Sequence, residues 1–164
     1  MEAIEAIKKR RSCREFAGDA VNSNVIEELV ECGRLAPSGR GEQPWEFVVV
    51  TDSSLRERIA ALASYGRFIG QAPVCIAVFC KATTYYLEDG AAATENILLA
   101  ANGLGLGSVW CGVYPVPERV AEARSILGIP EEVVPFCYIA IGDPAEEKPP
   151  RTQYDDARVH EERW

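Results

Sequence analysis

A chain of 164 residues fits one domain, on the prior of roughly 100–200 residues per domain. Apolar residues make up 48% and charged residues 26%, which is the balance of a soluble globular protein and not of a disordered one. The net charge of −8 speaks against general binding to nucleic acid or anionic membranes; the charged N-terminus and the lack of an apolar run of about 18 residues predict neither a signal peptide nor a membrane span, and so a cytoplasmic protein.

Residues 2–11 carry Ala3, Ile4, Ala6 and Ile7, predicting an amphipathic helix that ends in basic side chains. Asn22 or Ser23 caps a second helix with Val25, Ile26, Leu29, Val30, Gly33 and Leu35 on one face, and Pro37 stops it. A glycine-rich polar loop, Ser38 to Gln43, leads through Pro44 and Trp45 into the strand Phe47-Val48-Val49-Val50. Ser53 or Ser54 caps a helix over roughly 54–63, and Val74 to Phe79 reads as a buried strand. A long helix from Tyr85 or Leu87 to Ala101 is apolar on nearly every face, implying burial by neighbours or by a second subunit. Gly103, Gly105 and Gly107 end it and open a strand from Ser108 to Val113. Val116-Pro117-Glu118 begins a helix that closes near Gly128, and Val133 to Ile141 is the last strand.

Strands separated by helices predict a layered α/β or α+β domain. The segment Asp143 to Trp164 is too rich in proline and charge to fold alone, yet it holds Tyr154, Val159 and Trp164. Spaced anchors of that kind predict a tail lying along another surface, that of a partner subunit. The six cysteines (Cys13, Cys32, Cys75, Cys80, Cys111 and Cys137) form no Cys-x-x-Cys pair, and with one histidine a zinc site of the usual spacing is hard to assemble. Reduced, mostly buried thiols are expected.

Chemistry concentrates in two places. Five of the 17 basic residues, Lys8, Lys9, Arg10, Arg11 and Arg14, fall near the start of an acidic chain. Arginine suits phosphate because its planar fork donates two parallel charge-assisted bonds, and Ser12 adds a hydroxyl. A solvated basic helix end that complements the macrodipole fits the same residues equally well. The second place is Ala36-Pro37-Ser38-Gly39-Arg40-Gly41-Glu42-Gln43-Pro44-Trp45, where small residues admit a ligand close to the backbone, or simply connect a helix to a strand. Gly103-Leu104-Gly105-Leu106-Gly107 lacks the dinucleotide spacing and follows a helix, so it reads as a helix stop. His160, beside Glu161 and Glu162, reads as a surface residue.

In order along the chain these pieces resemble the nitroreductase superfamily of FMN-dependent reductases. Arg10-Arg11-Ser12-Cys13-Arg14-Glu15-Phe16 is similar to the family's Arg-Arg-Ser-x-Arg-x-Phe motif, and Leu35 to Val50 to its Ala-Pro-Ser…Gln-Pro-Trp block and strand. Asp89 to Ala101 looks like the family's interface helix, Leu104 to Gly112 like its glycine-rich strand, and Lys148-Pro149-Pro150-Arg151 like its C-terminal basic block.

The resemblance implies an α+β fold, a nitroreductase-like α/β/α sandwich with a central, mostly antiparallel sheet, in a homodimer that exchanges the tail 143–164. One domain, 1–164, would hold FMN at the subunit interface. Arg10, Arg11, Ser12, Arg14 and Arg151 would hold phosphate and ribityl oxygens. Pro37, Ser38, Gly39 and Gln43 would line the flavin, from either subunit, and Gly112 and Val113 would present backbone N–H groups near its redox-active edge. NADH or NADPH would be the donor and nitroaromatics, quinones or similar acceptors the oxidants in ping-pong turnover. Storage or regulation without turnover, dehalogenation and flavin breakdown are the competing functions. Gly41 stands where many relatives carry an asparagine, and the short chain implies an open site.

Overall fold

Every residue of the run 74–80 is buried, and so are nearly all of 133–142. Segments without an exposed face can only be interior strands covered on both sides. The computed structural model describes residues 2–62, 66–146, 148–149 and 155–164. In chain order it runs α1 (Ala3–Lys9), α2 (Ser23–Arg34), a 3-10 turn (Gly39–Gly41), β1 (Trp45–Val50), α3 (Ser53–Leu62), α4 (Arg67–Gln71), β2 (Val74–Lys81), α5 (Tyr86–Gly103), β3 (Gly107–Gly112), α6 (Pro117–Leu127), β4 (Val133–Gly142) and a 3-10 turn (Asp156–Arg158). The strands form one antiparallel sheet in the order β1-β2-β4-β3.

The pleat sends alternate side chains to two separate cores. Cys75, Ala77 and Phe79 of β2 join Tyr138 and Ala140 of β4 under Ile59, Ile69 and Ala123 from α3, α4 and α6. Val74, Ile76 and Val78 join Ile139 and Ile141 against Leu29 of α2 and Ile97, Leu98 and Ala101 of α5. The result is the expected α+β sandwich, helices over both faces of an antiparallel sheet. Gly33 lets α2 close on α5: a Cβ there would stand 2.9 Å from the Ile97 side chain. Seven α5 residues, including Asp89 and Thr94, are buried along one face of that helix, while Ala91, Ala92, Leu99 and Ala100 on its other sides are only half-buried. Among the described residues no helix is long and apolar enough to cross a membrane.

Local signals set most boundaries. The Asn22 side chain accepts the Asn24 N–H at 2.9 Å as the cap of α2, and Gly128, at φ 66°, ends α6 in the left-handed conformation. The cap of α3 differs from expectation. Asp52 takes that place, accepting the Leu55 N–H at 2.8 Å and the Ser54 hydroxyl at 2.6 Å, because a carboxylate outcompetes a serine hydroxyl for the free amides. The five-residue α4 is not anticipated by the sequence, being too short to display a period. One β-bulge shapes the outer end of the sheet: Val78 pairs with Cys137 and Phe79 with Pro135, so Phe136 is left over. Its carbonyl accepts both the Val113 and Tyr114 N–H groups, each at 3.1 Å.

All six cysteines are free thiols; five are buried, and Cys32 is half-buried. Burial pushes the Cys75 and Cys80 thiols up to about 12 and raises Cys111 and Cys137 as well. These folded-state values lie above the unfolded value of about 8.5, so the stability they confer is complete below that pH and is lost as pH climbs towards the folded values. A thiol reagent at neutral pH should therefore label native protein at Cys32 and unfolded protein at all six. Denaturant midpoints should fall as the solution is made alkaline. Several fast-reacting native thiols, or a flat alkaline profile, would contradict this packing.

Candidate functional site

β3 has β4 along one edge and none of the four strands along the other. In an antiparallel pair, residues alternate between facing the partner and facing away. The Val113 N–H reaches Phe136 and Gly112 is opposite Cys137, so Gly112, Trp110 and Ser108 hold the outward-facing positions. Two of their carbonyls are taken. Ser108 accepts the Cys13 N–H at 3.0 Å, and Gly112 accepts a bond from Arg119 Nη1 at 3.0 Å.

The first of these bonds ties the N-terminal segment to the sheet. Ser12 pairs in parallel with Ser108 and Phe16 antiparallel with Pro144. The Ala17 N–H donates to Asp143 at 2.9 Å, and the Ala145 N–H to Glu15 at 3.0 Å. Gly107 makes this closeness possible: a Cβ there would stand 2.7 Å from Cys13 Sγ.

The strap gathers the basic residues. Lys8, Arg10, Arg11, Ser12, Arg14 and Lys148 line one concavity of about 400 Å³, with Ile7 on its wall. A neighbouring concavity of about 320 Å³ shares Arg11 and Lys148 and reaches Cys13, Gly105 and Leu106. Arg10 lies 3.6 Å from Glu95 of α5, Arg11 donates to the Pro149 carbonyl, and Arg14 stands over the Phe68 ring, 6.0 Å from its centroid. Three guanidiniums and two ammoniums around one polar hollow are suited to a multiply charged anion. Arg151 lies outside the described residues.

The other expected residues lie elsewhere. Gly112 keeps an outward-facing amide, but Val113 is buried and its N–H is spent on Phe136, so Val113 has no backbone donor for a ligand. Pro37, Ser38, Gly39 and Gln43 line neither basic concavity. Their loop leads into β1, on the far side of the sheet from β3; three strand spacings of about 4.8 Å separate the two. The loop is held firmly. The Gly39 N–H donates to Asp89 Oδ1 at 2.8 Å, the Gln43 N–H donates to Ser38 Oγ at 3.0 Å, and Arg40 and Gln43 take positive φ. Gly39 is packed so tightly on Tyr85 that a Cβ would lie 2.4 Å from the ring.

Three side chains gain importance in three dimensions: Lys148 in the basic hollow, Arg119 on Gly112, and Asp89 under the loop, 4% exposed with Oδ2 unpartnered among the described residues. Lys148 alone had a signal, its place in the Lys-Pro-Pro-Arg block.

The nitroreductase family model matches residues 7–64 and 63–143. A Methanothermobacter thermautotrophicus protein with the provisional name NADH dehydrogenase/NAD(P)H nitroreductase is 40% identical, over 100% of this chain and 88% of its own. A crystal structure from Bacteroides thetaiotaomicron with the same provisional name superposes with a TM-score of 0.97 at 35% identity, covering 99% of this chain and 98% of that one. A provisionally named nitroreductase from Desulfovibrio desulfuricans, solved in complex with FMN, gives 0.85 at 30% identity, covering 100% and 98%. With the motif order, the sandwich and these matches in agreement, the chain belongs to the nitroreductase family.

Proposed function

We propose that the chain, as a single domain in a homodimer, is an FMN-dependent oxidoreductase that passes electrons from NADH or NADPH to nitroaromatic, quinone or similar acceptors in ping-pong turnover. The observation that carries this reading is the geometry of the open β3 edge. At one end stands the hollow of Lys8, Arg10, Arg11, Ser12, Arg14 and Lys148. At the other, four residues along and therefore roughly 13 Å away, Gly112 offers an outward amide. An elongated ligand with a phosphate at one end and a polar heterocycle at the other fits that layout, and FMN is such a ligand.

On this reading Arg10, Arg11, Ser12 and Arg14 hold the phosphate and ribityl oxygens, with Arg151 as a further contributor. Lys148 adds a charge, and the Gly112 N–H faces the heterocycle. When bound, FMN supplies the hydride-accepting and electron-donating chemistry, so no protein acid or base is needed. The Pro37–Gln43 loop fits this site only from a second copy of the chain, since within one subunit the sheet's width separates it from Gly112. Exposed Val159 and Trp164 fit a tail laid on that second copy. At the Gly112 end of the sheet, 82–85, 113–116 and 128–132 are links of five residues or fewer, and the longer link 35–44 is pinned by the Gly39–Asp89 and Gln43–Ser38 bonds. Links that short or that firmly held form no lid, which supports an open site and broad acceptor tolerance.

Three outcomes test the reading. The double substitution of Arg10 and Arg14 by alanine should release FMN with the fold intact. Each lost charge-assisted contact costs about 1.5–3 kcal/mol, roughly tenfold to a hundredfold in Kd; unchanged flavin content would remove their role. Purified protein should be yellow, and NADH or NADPH should bleach it without oxygen; colour that persists would instead indicate a carrier without turnover. For the loop, Asp89→Ala frees the Gly39 amide and should weaken FMN binding, whereas Asp89→Asn keeps the acceptor and should restore it. Equal FMN affinity in both variants would remove the loop from the site.

A further inference from the structure

Arg119 has no part in the reading above. It sits in the first turns of α6, half-buried, and its Nη1 donates to the Gly112 carbonyl at 3.0 Å. Both polar backbone groups of Gly112 leave β3 on the side away from β4, so the guanidinium stands on that same open side. It shares a small cavity of about 20 Å³ with Cys111, Gly112, Tyr138 and the carboxylate-bearing Glu122. Among the described residues no carboxylate forms an ion pair with it. A guanidinium has several N–H donors in a fixed fork, and the bond to Gly112 spends only one of them. Arg14 approaches from the strap: burial raises the Cys111 thiol, and both Arg119 and Arg14 act on it in the opposite direction. Two cations thus stand near Cys111, one from each end of the open edge.

We infer that Arg119 is a cofactor-binding and charge-positioning residue at the heterocycle end of this site. Resting on the functional reading, this role has two parts. The bond to Gly112 fixes the peptide beside the amide that faces the ring, and the remaining N–H groups face ring carbonyls. The guanidinium also places a fixed positive charge where negative charge grows on reduction, so the reduced cofactor is bound more tightly than the oxidised one.

The test loads wild-type protein, R119Q and R119K with FMN, and measures FMN affinity by fluorescence quenching and the two-electron midpoint potential by equilibration with reference dyes. R119Q retains an amide donor for Gly112 but no charge. It should keep its flavin and shift the potential at least about 30 mV more negative, a tenfold change in the ratio of affinities for the two redox states. R119K should recover most of that shift. A wild-type potential in flavin-loaded R119Q would overturn the inference, as would R119K shifting as far as R119Q. If R119Q does not fold, R119K decides alone: it should hold a potential near wild type with weaker FMN binding, and the potential of free FMN would overturn the role. Wild-type protein that takes up no FMN would overturn the functional reading itself, whereas unchanged potentials in loaded variants overturn only the part given to Arg119.

Discussion

The bond from the Cys13 N–H to the Ser108 carbonyl decides where the charge of this protein collects. An acidic chain of net charge −8 would otherwise spread its early arginines over solvent at the end of a seven-residue helix. Tied to the outer edge of β3, they instead turn into one hollow with Lys148, which comes from the opposite end of the sequence. The bond depends on a close approach that only glycine at 107 allows, since any Cβ would collide with Cys13. It also consumes an outward-facing carbonyl of an edge strand, a group that otherwise needs water or another chain. One contact thereby caps part of a sheet edge and assembles a cluster of like charges. Such a cluster is tolerated because Glu95 and Glu146 stand 3.6 Å from Arg10 and Lys148 respectively, counterions that an incoming anion can replace.

The rest of that edge depends on the register of β3 on β4. The unbroken register from Gly107 opposite Gly142 to Gly112 opposite Cys137 fixes which residues of β3 face outward; on the proposed reading it makes Gly112 the donor, while the Val113 amide is spent on Phe136. The same sheet places the Pro37–Gln43 loop along β1, at the opposite margin. On the proposed reading, that separation is why one subunit cannot complete the site. The distance between β1 and β3 is imposed by the two interior strands between them.

Much of the fold was legible because its signals are local. The cap at Asn22, the left-handed Gly128 and the β-branched or wholly apolar runs each determine an element from a few neighbours, and their alternation gives the sandwich. The basic cluster was equally visible, but its meaning was not: a solvated helix end and an anion site have the same composition, and only the pairing with Ser108 separates them. The direction of the Val113 amide could not be read from the chain, because it follows from the register of β3 on a strand more than twenty residues away. Arg119 and Asp89 were hidden for a related reason. Each acts through one hydrogen bond to a distant backbone atom, Gly112 or Gly39, and such a bond leaves no spacing to read.

The central claim is that the strapped arginines hold the phosphate of a flavin whose ring lies at Gly112. Riboflavin carries the same ring without the phosphate, so parallel titrations of apo-protein with FMN and riboflavin, followed by quenching of flavin fluorescence, isolate that interaction. Two or more charge-assisted bonds worth about 1.5–3 kcal/mol each predict that FMN binds at least about a hundredfold more tightly, with the preference shrinking as salt is added. Equal affinity for the two flavins, or no binding of either, would contradict the account.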